Sequence, residues 1–126
     1  MQDRMQLDMA IRDFGNKNNL DININQGASV ISLENEKEIW IEAPQNSVLL
    51  VVHTRLCEVN KISISQGLNL LQQNLQLQNM MGAYLGIDEK TSTVRLCVSV
   101  PVKVVSVELL SNVIDNLIHL SETIKI

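Results

Sequence analysis

The sequence predicts an α+β domain in which helices pack on an antiparallel sheet, in the order α-β-β-β-α-β-β-α. Three observations carry that prediction. Apolar residues recur at helical spacing in three separate stretches. Period-two or continuous apolar runs fall between them, bounded by Gly, Pro, Asn and Asp. The links between the early runs are too short for parallel crossovers, which need a dozen or more residues, so the strands read as an antiparallel meander. Helices and strands are mixed without the regular alternation of a doubly wound fold.

The first helix is predicted over residues 3–14. Leu7, Ile11 and Phe14 share one face with Ala10 beside them, and Gly15-Asn16 reads as the stop. Residues 16–27 are rich in Asn and Asp and read as a loop, although Leu20, Ile22 and Ile24 alternate within it. Strands follow at 28–33, 37–43 and 47–56. Glu34-Asn35-Glu36 turns between the first two, and Pro44, which cannot donate to a ladder, ends the second. In the third, residues 48–52 are apolar at both parities, the pattern of a strand covered on both faces or placed centrally.

The second helix is expected over residues 62–81 and carries two apolar stripes. Ile64, Leu68, Leu71 and Leu75 form one, expected to face the core. Leu70, Leu77 and Met81 form another, roughly 130° around at 100° per residue. One stripe is enough to dock a helix on its own domain, so the second points to a partner. No charged residue occurs between Lys61 and Asp88, and the polar positions there are largely Gln and Asn. Such a surface is either a merely solvated face or the uncharged rim of an interface. The missing charge favours the interface, because charged groups cost more to desolvate. Gly82 is expected to end the helix in a left-handed conformation. A hairpin then joins 83–87 to 93–100, where Val94, Leu96, Val98 and Val100 alternate with Arg95, Cys97 and Ser99. The last helix starts at a Ser106 N-cap with Glu108 in its first turn, and Leu110, Val113, Leu117, Leu120 and Ile124 make it a core element.

Composition narrows the function classes. The 126 residues suit one domain, spanning 1–126, and a 45% hydrophobic content supports a core built from aliphatic side chains, since aromatics are only 2%. A net charge of −4 with isolated Lys and Arg speaks against nucleic acid, which calls for a basic patch. The charged N-terminal segment lacks the apolar run of a secretory signal, and no window is long and apolar enough to insert in a membrane. The expected location is the cytoplasm, with Cys57 and Cys97 as reduced, packed thiols. His53 and Cys57 stand four apart on a strand, about 13 Å, too far to share a metal or act as a base–nucleophile pair. The expectation is therefore no enzyme, no catalytic residue, no metal and no cofactor. Gly82-Ala83-Tyr84-Leu85-Gly86 is no phosphate loop, because it follows a helix and lacks Gly-Lys-Ser/Thr.

The run Leu70-Leu71-Gln72-Gln73-Asn74-Leu75, leading to Gly82-Ala83-Tyr84-Leu85-Gly86-Ile87-Asp88, resembles the class I (CesT/SycE-like) chaperones of bacterial type III secretion. The Val94-Arg95-Leu96 strand and the Val107-Glu108-Leu109-Leu110 helix start are similar to that family as well. The final helix departs from it, with Leu117 to Leu120 where an aromatic residue is often found. The resemblance implies a bacterial cytoplasmic homodimer that binds an N-terminal segment of secreted effector proteins. By the same resemblance it would keep them export-competent until release at the secretion ATPase. It implies pairing through Leu70, Asn74, Leu77 and Met81 with Tyr84, and an effector groove on the first helix and early strands at Leu7, Ile11, Phe14, Ile31, Leu33, Ile39 and Ile41. Binding would combine strand addition at a sheet edge with apolar side chains in pockets. The alternative is a structural or assembly subunit of a larger secretion apparatus, which would persist in the purified assembly.

Overall fold

In the computed structural model, which describes residues 2–126, the predicted elements appear in the predicted order with one addition. Helix α1 is Gln2–Lys17, followed by strands β1 Ala28–Ser32, β2 Glu38–Glu42 and β3 Leu49–Glu58. Helix α2 is Ile64–Gln73, a separate single turn α3 is Leu77–Met80, and strands β4 Tyr84–Asp88 and β5 Thr93–Pro101 lead to helix α4 Val107–Thr123. The five strands form one antiparallel sheet in the order β1-β2-β3-β5-β4. The meander therefore holds only for β1 to β3. The α2–α3 excursion is long enough to skip a position, so β4 becomes an edge and β5 returns to pair with β3. That placement makes the ten-residue β3 the central strand.

One face of the sheet is covered. Ile39 and Ile41 of β2, Leu50 and Val52 of β3, Leu96 of β5 and Leu85 of β4 are buried in a cluster with Leu7, Ile11 and Phe14 of α1 and Leu110, Ile114, Leu117 and Leu120 of α4. Period-two alternation sends the intervening residues to the other face, where Val30 and Tyr84 are exposed. Val30, Trp40, His53, Cys97 and Tyr84 form one cross-strand row there. The doubly apolar run in β3 thus marks a central strand rather than one covered on both faces.

Local chemistry explains several boundaries. Helix α1 does not stop at Gly15. It runs to Lys17, and Asn19 takes the left-handed conformation at φ 59 that ends it, with Leu20 N–H returning to the Gly15 carbonyl at 2.7 Å. Gly15 serves close approach instead: a Cβ there would lie 2.6 Å from the Leu20 carbonyl oxygen. Ile22 and Ile24 are buried although their segment forms no strand. Helix α2 opens with a capping box, in which Ser63 Oγ accepts from Gln66 N–H and the Gln66 side chain accepts from Ser63 N–H. Ser106 caps α4 through Leu109 N–H at 3.1 Å. Gly82, at φ 85, follows Met81, also left-handed, after α3.

Candidate functional site

The two stripes of the α2 region are the first candidate surface, and the structure turns the expected core stripe outward and buries Leu70 of the other, while Leu77 and Met81 stay exposed. Leu70 is 5% exposed and packs into the core, whereas Ile64, Leu71 and Leu75 are 86%, 64% and 83% exposed and Leu68 lies out with them. The helix docks through the single Leu70, with Met80 buried beyond it. The projection over residues 62–81 assumed one unbroken helix, but α2 ends at Gln73 and α3 starts afresh at Leu77. Spacing alone gives the angle between stripes, and not which of them the sheet receives.

The residues expected at a pairing surface consequently divide. Leu70 is core. Leu77, Met81 and Tyr84 are exposed, but Tyr84 belongs to the open sheet face, where its hydroxyl pairs with Ser99 Oγ at 2.8 Å. Asn74 is occupied within the chain. Its Oδ1 accepts from Leu85 N–H at 2.7 Å and its Nδ2 donates to the Leu85 carbonyl at 3.2 Å.

The expected effector groove is filled by the protein's own core. Leu7, Ile11, Phe14, Ile31, Ile39 and Ile41 are all buried and Leu33 is partly so, because these side chains pack into one core cluster that also takes in Leu110, Ile114, Leu117 and Leu120 of α4. A partner could meet them only if the domain opened. Exposed apolar side chains lie nearby instead: Met5 and Met9 on the outer side of α1, then Val48, Leu49 and Val104. Met5, Val48 and Leu49 line a cleft of about 730 Å³ with Pro101 and Val102. Arg4 fastens its floor, donating to the Ala43 carbonyl at 2.6 Å and the Ile24 carbonyl at 3.0 Å. The spacing of Met5 and Met9, i and i+4, was the available signal for this surface.

The sheet edges differ from each other. Ala43 N–H bonds to the Gly27 carbonyl and Leu33 N–H to the Lys37 carbonyl, so the odd positions of β1 face β2. The N–H and C=O groups of Ala28, Val30 and Ser32 therefore point away from the sheet. Among the described residues no side chain or loop bonds them, and β1 carries neither Pro nor charge to blunt the edge. On β4 the outward groups are those of Ala83, Leu85 and Ile87. Ala83 N–H is taken by the Met80 carbonyl at 2.9 Å and both Leu85 groups by Asn74.

Polar chemistry gathers on the open sheet face. Cys97, rather than Cys57, stands opposite His53. Arg95 Nη1 lies 3.0 Å from His53 Nδ1 and, being only a donor, assigns that nitrogen as acceptor. His53 Nε2–H then donates to Glu42 Oε1 at 2.6 Å, and the ring stacks on Trp40 at 6.4 Å between centroids. Both imidazole nitrogens are thus engaged away from the thiol. Burial pushes the Cys97 thiol up to about 11, against a smaller opposing pull from Arg95, so it stays protonated and weakly nucleophilic at neutral pH. Desolvation likewise raises Cys57. No described helix is long and apolar enough to cross a membrane.

The model of the Tir chaperone protein (CesT) family matches residues 9–125. The chain belongs to the CesT family. Several solved structures share the fold. A chain of the HopA1–SchA chaperone–effector complex superposes with a TM-score of 0.78 at 18% identity, covering 97% of this chain and 94% of that one. A chain of the ExsC–ExsE complex gives 0.81 at 12% identity, with 94% and 90% covered. A chain of the Yersinia pestis type III secretion chaperone SycH in complex with a YscM2 fragment gives 0.69 at 18% identity, with 94% and 99% covered. Among curated proteins none matches by sequence. The bare β1 edge and the exposed side chains Ile64, Leu68, Leu71 and Leu75 are thus uncovered surfaces of the protomer.

Proposed function

We propose that this chain is a single-domain, homodimeric cytoplasmic chaperone of bacterial type III secretion. It holds a non-globular N-terminal segment of one or more secreted effectors, keeps it export-competent until release at the secretion ATPase, and catalyses nothing. The observation that carries this reading is the β1 edge. Ala28, Val30 and Ser32 offer three residues of outward, unpaired backbone on a strand without Pro or charge. An extended segment can pair there while its alternate side chains follow the two faces of the sheet. The cleft at Met5 and Leu49 lies beside Gln45 and Arg4, and Arg4 with Met5 also borders Ile24 and Asn25, just before β1 begins. A bound segment that leaves the edge can therefore seat apolar side chains there.

Two further features support the reading. The similar structures include complexes described as chaperone with effector, and family membership covers nearly the whole chain. The side chains of Ile64, Leu68, Leu71 and Leu75, along α2 and the turn after it, are exposed and free of charge, which suits self-pairing. This stripe replaces the Leu70-centred surface as the pairing face.

The test uses Val30→Pro. Val30 N–H points away from β2, so proline there removes a donor that the fold does not use, and edge strands tolerate it. The expected outcome is a folded protein, by circular dichroism, whose capture of co-expressed effector N-terminal segments drops at least tenfold. Unchanged capture by a folded Val30→Pro variant would sink strand addition at β1.

A further inference from the structure

We infer that Asn74 guards the β4 edge: its carboxamide occupies the backbone groups a sixth strand would need there, and so confines strand addition to β1. The inference rests on the strand-addition reading above. A residue of a neighbouring antiparallel strand exchanges two hydrogen bonds with its opposite number, one accepted from N–H and one donated to C=O. The Asn74 amide makes that same pair with Leu85, at 2.7 and 3.2 Å, from a side chain. With Ala83 N–H held by Met80, Ile87 alone remains fully open on β4, and one residue does not seat a strand.

The residue type and its mounting both fit the task. Only a carboxamide offers an acceptor and a donor side by side; Asp would face the Leu85 carbonyl with a second oxygen, and Leu would satisfy neither group. Asn74 sits at the C-terminal cap of α2, its own N–H bonded to the Leu71 and Gln72 carbonyls, and Leu70 anchors that helix in the core. The amide is thus carried to the edge by a rigid element. Without it, Tyr84-Leu85-Gly86-Ile87 would be a flat, uncharged edge of the kind that recruits other chains. The two edges of one sheet are therefore unequal: β1 bare, β4 stoppered.

The experiment uses the full chain, isotope-labelled for amide spectra, and a short end-capped peptide of alternating Thr and Val bearing a nitroxide. In the wild type the peptide should broaden amides of β1 alone, at one peptide per protomer. In Asn74→Leu it should also broaden Leu85 and Ile87, with a second equivalent bound, and Leu85 amide exchange should quicken by about tenfold or more, the worth of one hydrogen bond. Should that variant fail to fold, Asn74→Asp serves, because its carboxylate repels the Leu85 carbonyl at neutral pH and should open the same site. Peptide at β4 in the wild type, or a folded variant still binding one peptide at β1 only, overturns the inference. Absence of peptide at β1 in the wild type sinks the strand-addition reading instead; the guard role then stands or falls on whether the variant gains a site at β4.

Discussion

Thr54 is a fully buried polar side chain in the central strand, and its hydroxyl donates to the Glu38 carbonyl at 2.8 Å. Registered pairing of β2 with β3 ends at Trp40 and His53, so the hydroxyl satisfies a carbonyl beyond the ladder. Cys97 illustrates the same scale from the side of titration. Its thiol is moved from 9.0 to about 11 by burial. The neutral form is favoured in the fold, so above pH 9 the unfolded chain loses this proton while the folded chain keeps it. Stability from this group is therefore complete below pH 9 and falls as pH rises toward 11. Denaturant midpoints measured across that range should decline in the wild type and decline less in Cys97→Val. Iodoacetamide should modify Cys97 on the order of tenfold more slowly than a free thiol at pH 8. A flat midpoint profile and rapid alkylation would contradict the burial argument.

At the scale of elements, propensity and packing divide the work. Helix α4 and its Ser106 cap could be read from the sequence because an amphipathic stripe and a capping residue are local signals. The exit of α1 could not, since Gly15 has the same appearance in sequence whether it ends a helix or admits a neighbouring chain. Gly15→Ala distinguishes these roles. A glycine used only as a stop would tolerate alanine inside a longer helix. Here the added Cβ meets the Leu20 carbonyl at 2.6 Å and Ile22 Cγ1 at 2.9 Å. The expected cost is about 1–3 kcal/mol, the usual range for overpacking, read as a lowered denaturant midpoint. The α2 region failed differently. Two stripes were visible, but the break after Gln73 was not, because it leaves residues 74–76 to present Asn74 to β4, a contact eleven positions away in sequence.

For the whole molecule, the decisive feature is what the protomer leaves uncovered. Its core is complete without Ile64, Leu68, Leu71 and Leu75, whose exposure along α2 and the turn after it is the ground for the proposed pairing with a second copy. Leu71→Arg should place a charge in that interface without touching the core. Light scattering should then give half the wild-type mass, with the circular dichroism spectrum retained. The wild-type melting temperature should rise with protein concentration by mass action, and that dependence should vanish in the variant. A dimer that survives Leu71→Arg would move the interface elsewhere.

The α+β class, the element order and most strand limits were set by the sequence itself, because periodicity, caps, Gly and Pro act over a few residues. The family pattern was legible for the same reason, being written in those local runs. Only the tertiary structure decided which helix stripe is core and that Leu7, Ile11, Phe14, Ile31, Ile39 and Ile41 are spent inside the domain. It also decided that one sheet edge is open while Asn74 closes the other. A sequence gives each side chain a direction on its own element. Which direction ends in protein and which in water depends on where the other elements come to rest.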